Sequence, residues 1–187
     1  MTRTVFMFLI LIKLAGISKV QDKHFSGKVE RDTIFWTKER KLAWNDFKGI
    51  VPKDAKYYVL AKTFSGIRSK TTKGPDGRPT FRVESYFIPS KSWSRTSDEQ
   101  TLLHEQLHFD ISEIYARRIR KAFDSLKARN VSDIKIYEGT YREYVKRCFK
   151  TNDEYDDQVY YDSSKQKKWK ENVTRQIEDL KAFSSPK

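Results

Sequence analysis

The sequence predicts an α+β fold, in which a small antiparallel-rich sheet near the N-terminus is followed by a long helix and a helical C-terminal half. Residues 57–67 and 80–88 are rich in aromatic and β-branched side chains, and the Gly- and Pro-rich stretch 74–79 between them is typical of a turn. Residues 97–129 contain no Pro or Gly, and their apolar side chains recur at helical spacing. Two extended segments and one uninterrupted helix together indicate this fold class.

Shorter elements complete the expected architecture. Residues 33–36 are a further candidate strand, and the spacing of apolar side chains after the long helix predicts two more helices, over 141–162 and 164–183. A chain of 187 residues can enclose a substantial hydrophobic core. We therefore expect one domain over 31–187, with the sheet first and the helices after it.

The N-terminus has the pattern of an export signal rather than of a folded element. In residues 1–18, Arg3 precedes an apolar run over 5–12, and small residues suited to cleavage follow. The run is too short to anchor the chain across a membrane. Residues 19–30 are polar and predict a flexible leader. We expect a periplasmic or secreted protein without stable membrane insertion after cleavage.

The net charge of +13 raises the question of whether the chain binds nucleic acid or another anion. No nucleic-acid recognition motif occurs, and the lysines are spread along the chain. The single cysteine, Cys148, cannot form an internal disulfide and is expected to be a buried thiol. We therefore expect no nucleic-acid partner. The favoured account of the charge is a basic proteome with solvated helix faces, and for an exported protein an anionic cell envelope or acidic substrates are the alternative.

The long predicted helix carries the motif His104-Glu105-Gln106-Leu107-His108, which holds two of the three histidines of the chain. Side chains four residues apart in a helix point to the same side, so both imidazoles can bind one zinc ion at about 2.0–2.1 Å. Glu105 is placed to act as the general base that takes a proton from a zinc-activated water. The sequence therefore predicts a site for one Zn²⁺ ion at the edge of a cleft, with Glu105 as its catalytic residue.

A catalytic zinc site needs a third protein ligand and an open position. Asp162 is the predicted third ligand, because the helical spacing of the preceding apolar residues places it on the inward side. A salt bridge to a Lys or Arg is the alternative role for Asp162, and Glu154 and Asp157 are the alternative ligands. A hydroxyl near the metal could stabilise an oxyanion, and the candidates are Tyr115, Tyr160 and Tyr161.

Several segments resemble one bacterial family. These are residues 87–93, 102–111 and 113–118, and residues 36–49 are similar to the start of that family. The family is domain-of-unknown-function family number 922, described as predicted secreted zinc-dependent proteases. The resemblance implies a zincin-like fold and a metallopeptidase-like site. By resemblance and by position, the strand 80–88 is the edge strand that lines the cleft and pairs with an extended substrate.

The same resemblance bears on the third ligand. Many members of the family carry a tyrosine-aspartate pair, followed shortly by a histidine, a glutamine and a tryptophan. Tyr161-Asp162 and then Gln166 with Trp169 are similar to the two ends of that element, but the histidine between them is absent here. Either Asp162 is the ligand or the site is degraded.

Two functions of different classes are open at this point. The first is an exported zinc-dependent peptidase that hydrolyses peptide bonds of a peptide or protein substrate. The second is a non-catalytic exported protein of the same fold, which binds a peptide or a cell-envelope polymer. The oligomeric state and the cleavage specificity are not predicted.

Overall fold

The computed structural model describes residues 32–75 and 78–185, so the predicted export signal over 1–18 and the leader over 19–30 lie outside the described residues. The described part is α+β, with a small antiparallel sheet followed by three helices, and this confirms the broad fold class. The strands are β1 (Ile34–Phe35), β2 (Ala61–Lys62), β3 (Ser65–Lys73), β4 (Pro79–Phe87) and β5 (Trp93–Ser94), and the helices are α1 (Glu99–Ala128), α2 (Ile134–Tyr161) and α3 (Lys165–Asp179).

The main sheet has the strand order β1-β4-β3, and β2 pairs separately with β5. Strands β3 and β4 form the expected hairpin, in a register that runs from Ser65 opposite Phe87 to Lys73 opposite Pro79. Its first strand lies at Ser65–Lys73 rather than at the predicted 57–67. Strand β1 pairs with the other side of β4, with Ile34 opposite Phe87. The expectation that residues 80–88 form an edge strand is therefore wrong, because the short strand β1 makes β4 the middle strand.

Helix α1 begins where Asp98 caps it, since the Asp98 carboxylate accepts a hydrogen bond of 2.7 Å from the backbone N–H of Thr101. Its predicted apolar stripe is largely buried and forms the main core together with the sheet and the other helices. Its first residue, Leu103, is half-buried. The other six are each at most 7% exposed: Leu107, Ile111, Ile114, Ile119, Phe123 and Leu126.

Helix α2 runs antiparallel to α1. The ring of Phe123 near the end of α1 contacts Tyr137 near the start of α2, at 5.2 Å between ring centroids. At the other end, His108 of α1 contacts Asn152 of α2. Helix α3 then packs on both, with Val173 fully inside. None of the helices in the described ranges has an apolar stretch long enough to cross a membrane.

A hydrogen-bonded connection ties the N-terminal segment to α1. The indole N–H of Trp36 donates to Asp110 Oδ1 at 2.6 Å, and the side-chain amide of Gln106 donates to the same oxygen at 2.7 Å. The backbone N–H of Leu42 donates to Gln106 Oε1 at 2.7 Å. Gln106 and Asp110 lie on the side of α1 roughly opposite the two motif histidines. This connection therefore fixes the rotation of α1 and with it the direction in which the histidines point.

We predict that Trp36→Phe lowers the free energy of unfolding by about 1–3 kcal/mol more than Trp44→Phe does, as measured by urea denaturation. Trp36→Phe removes a donor from the buried Asp110 carboxylate. Trp44→Phe is the matched control, because the buried Trp44 Nε1 has no hydrogen-bond partner among the described residues. Equal losses in the two variants would contradict the proposed importance of the Trp36 connection.

Candidate metal centre

Three side-chain atoms meet at the contact between α1 and α2. His104 Nε2 and His108 Nε2 are 3.1 Å apart, which confirms the expectation that the two motif imidazoles come together. Asp156 Oδ1 lies 3.1 Å from His104 Nε2 and 2.9 Å from His108 Nε2. Two imidazole nitrogens and a carboxylate oxygen, all within 4.8 Å of one another, form a group that could hold a metal ion.

The helix pair explains why these atoms converge. His104 and His108 are one turn apart on α1, so their rings stand one above the other. Asp156 comes from the antiparallel helix α2, and Asn152 lies one turn earlier on the same face of α2. The Nδ1–H of His108 donates to Asn152 Oδ1 at 2.7 Å, while the Asn152 amide donates to the carbonyl of Cys148 at 2.9 Å. Asn152 therefore holds the His108 ring in the tautomer that presents Nε2 to a metal.

The centre is buried rather than placed at the edge of an open cleft, so that expectation is wrong. His104, His108 and Asp156 are 3%, 8% and 3% exposed. The cover is aromatic, because the fully buried ring of Tyr155 stacks on His104 at 4.6 Å between centroids and meets His108 edge-on at 5.2 Å. Trp169 of α3 packs in turn on Tyr155, at 5.2 Å between centroids. Tyr155 was not among the predicted site residues, although its ring contacts both imidazoles.

Polar atoms without hydrogen-bond partners surround this centre. Glu105 is 1% exposed, and its Oε1 has no partner within the described ranges. The same holds for Asp156 Oδ2 and for the Tyr155 hydroxyl. A buried oxygen without a partner is costly, and a cation bound by the imidazoles and the carboxylate would offset part of that cost. The donor set of two nitrogens and one oxygen is one that zinc accepts in catalytic sites.

The ionisation states of His108 and Asp156 depend on each other. Burial opposes the charged form of His108, but the Asp156 carboxylate, with smaller contributions from Glu105 and Asn152, raises the pKa of His108 to about 9. Burial also opposes the ionised form of Asp156, yet the charge of His108 and the hydrogen bonds from both imidazoles hold the pKa of Asp156 below its usual range. Without metal, the centre is therefore an imidazolium–carboxylate pair.

Asp162 does not reach the histidines, and its assignment as third ligand is corrected to Asp156. Helix α2 ends at Tyr161, and Asp162 has an extended backbone with φ −152° and ψ 92°. Its exposed carboxylate accepts hydrogen bonds from the backbone N–H and the hydroxyl of Ser164, at 3.1 and 2.6 Å. The helical spacing that pointed to Asp162 stops one residue before it. The alternative ligands Glu154 and Asp157 are also exposed.

The structure describes the side chains of two of the three predicted oxyanion-stabilising tyrosines, Tyr115 and Tyr160. Tyr115 is buried, and its hydroxyl is 2.7 Å from the hydroxyl of Thr151 in α2. Tyr160 is half-buried one turn after Asp156, on the same face of α2. The side chain of Tyr161 lies outside the described part of the chain. The stripe that contains Tyr155 was visible in the sequence, but spacing alone could not show that this ring packs on the histidines.

No family model matches this chain, and neither does any curated protein or any solved structure. The resemblance to family number 922 therefore stays a prediction.

We predict that Asp156→Asn weakens zinc binding and that Asp162→Asn leaves it unchanged. Removing a residue that hydrogen-bonds to a metal ligand lowers the metal affinity by about 10- to 100-fold. Removing a ligand itself should lower the affinity by at least about that factor. The measurement is competition with a zinc chelator, and Asp162→Asn is the control with the same change of charge. Equal affinities in the two variants would contradict the assignment of Asp156.

We predict that the metal-free protein becomes less stable as the pH rises from about 6.5 to about 9. The pKa of His108 is raised to about 9 in the folded state, compared with about 6.5 when unfolded. Its stabilising contribution is therefore complete below about pH 6.5 and is lost as the pH rises through about 9. Urea denaturation in the presence of a chelator measures this, and Asp156→Asn should flatten the profile. Stability that increases over this range would contradict the prediction.

Proposed function

We propose that this chain is an exported zinc-dependent peptidase with a zincin-like fold, related to the family that its sequence resembles. The observation that carries the proposal is the meeting of His104 Nε2, His108 Nε2 and Asp156 Oδ1 beside the buried Glu105. Two histidines, a carboxylate from a later helix and an adjacent glutamate are the protein groups that metal-assisted peptide hydrolysis needs. The predicted export signal supports an extracytoplasmic location.

In this proposal the three ligands hold zinc, which supplies a Lewis acid that polarises the scissile carbonyl and makes a water more acidic. Asn152 keeps the His108 ring oriented through its 2.7 Å hydrogen bond. His104, His108 and Asp156 would supply the three protein ligands that a catalytic zinc site uses.

Glu105 is the proposed general base. It follows His104 in the motif, its side chain is 1% exposed, and its Oε1 has no hydrogen-bond partner among the described residues. The carboxylate takes a proton from the attacking water while the water oxygen bonds to the carbonyl carbon. It then gives that proton to the leaving nitrogen as the carbon–nitrogen bond breaks.

Tyr155 is the proposed hydroxyl donor to the developing oxyanion. Its ring packs on both imidazoles, and its buried hydroxyl has no hydrogen-bond partner among the described residues. Burial, together with the charges of Asp156 and Glu105, raises the pKa of Tyr155 above its usual range. The hydroxyl therefore keeps its proton at neutral pH and is able to donate it in a hydrogen bond.

One observation favours the second function, a non-catalytic exported protein that binds a peptide or a cell-envelope polymer. The candidate ligands are buried beneath Tyr155 and Trp169. Structural zinc sites are closed, whereas catalytic ones keep an open position. In this second case the metal would stabilise the contact between α1 and α2, and no peptide bond would be cleaved.

The two functions are separated by turnover of a peptide library. We expect hydrolysis that a chelator abolishes and added zinc restores. Glu105→Gln should lower the rate by about 10²- to 10⁴-fold while zinc stays bound, because the base is lost and the three ligands remain. Zinc content is measured on the same sample. Bound zinc without hydrolysis in the unmodified protein would favour the binding function, and near-normal turnover in Glu105→Gln would show that another base acts.

A further inference from the structure

A cavity of about 120 Å³ lies between α1, α2 and α3, about one helical turn from the metal centre. Ile111, three residues after His108, lines it from α1, and Thr151, next to Asn152, lines it from α2. Apolar side chains of Ile111 and Val173 form one part of the wall. The volume is well above the about 30 Å³ that one water takes up in the liquid, so the cavity has room for a small side chain.

Arg118 places a positive charge in the wall of this cavity. One of its terminal nitrogens donates to Gln176 Oε1 at 2.6 Å, and its guanidinium lies 4.7 Å from the centre of the Tyr115 ring. Its neighbours on the same helix, Arg117 and Arg120, both bind the carboxylate of Glu113. In contrast, no carboxylate of the described residues lies within 4.0 Å of Arg118. A half-buried guanidinium without a counter-ion is a natural site for an anion.

A second cavity, open to the surface, adjoins the first. The two share Trp169 and Asn172, and Lys165 and Lys168 line the second one. Neither lysine has an ion pair within 4.0 Å in the described part of the chain, although the charge of Asp162 is near both. Positive side chains that lack a bound carboxylate therefore lie on both sides of Trp169.

We propose that the cavity beside Arg118 binds the carboxylate of an acidic side chain, and that the substrates of this protein are acidic peptides. This inference rests on the proposed peptidase function and names its substrate class. The Arg118 guanidinium donates N–H hydrogen bonds to the carboxylate of the bound side chain. The side chains of Ile111 and Val173 contact the methylene groups of that side chain. The lysines of the second cavity attract a further acidic residue of the same peptide. The cavity and the candidate metal centre share the packing of Trp169, which lines the cavity and contacts the Tyr155 ring over His104.

The test compares two hexapeptides that differ only by glutamate or glutamine at a central position. The full chain with bound zinc and the Glu105→Gln substitution is used, so that binding is measured without turnover. Dissociation constants are obtained from shifts of the Trp169 indole N–H signal by NMR. We expect the glutamate peptide to bind about tenfold more tightly than the glutamine peptide.

Three further substitutions, each made in the zinc-bound Glu105→Gln protein, show which residue causes the preference for the glutamate peptide. Arg118→Gln removes the guanidinium, and Gln176→Glu keeps it but supplies a carboxylate of the chain itself beside it. Both should abolish the preference for glutamate. Arg142→Gln is the matched control, because it removes an exposed arginine of α2 that pairs only weakly with Glu138, at 3.7 Å. The preference should persist there, and melting temperatures confirm that each variant is folded.

The outcomes separate this inference from the peptidase proposal. If the unmodified cavity binds both peptides equally or neither of them, the inference is wrong. If the preference persists in Arg118→Gln and Gln176→Glu, it arises from the overall positive charge, and the inference is also wrong. If the glutamate preference depends on Arg118 but no peptide is hydrolysed by the zinc-loaded protein, the acidic-peptide site stands and only the catalytic proposal fails.

Discussion

The contact between the two motif imidazoles and the Asp156 carboxylate is the interaction on which the rest of the helical half depends. It sets the register between the antiparallel helices α1 and α2, because the Asp156 carboxylate must lie level with both His104 and His108. On the opposite side of α1, Asp110 holds the N-terminal segment through Trp36. Buried polar contacts on two faces therefore set the position of one helix, and apolar packing fills the space between them.

A buried ion pair is poor evidence for stability, since taking two charges out of water costs about as much as their attraction returns, and apolar residues of the same volume often serve as well. The polar atoms of Glu105, Tyr155 and Asp156 that lack partners make this centre still less favourable as a purely structural device. A bound cation would replace the proton that His108 carries in the metal-free state, so folding and metal binding use the same groups. This is the physical reason to prefer a ligand-binding role for the centre.

Helical spacing was enough to predict that the two motif imidazoles come together and that the apolar stripe of α1 is largely buried, because both features depend on one regular element. It failed where an element ends or where elements meet. Asp162 lies one residue beyond the end of α2, so the count that reached it no longer applied. The prediction of β4 as an edge strand failed because the two-residue strand β1 pairs with its other side. The stacking of Tyr155 on His104 joins two residues that lie 51 positions apart on different helices, so no local pattern encodes it.

Trp169 connects the metal centre to the cavities that the proposed substrate would occupy. Its ring packs on Tyr155, which covers His104, and it also lines both cavities. Trp169 is partly buried and packs against the main hydrophobic core. A peptide bound in the cavity of Arg118 would contact Trp169, and Trp169 packs on the Tyr155 ring that covers the candidate centre. In the proposed function, substrate recognition and access to the metal therefore involve the same contact between α2 and α3.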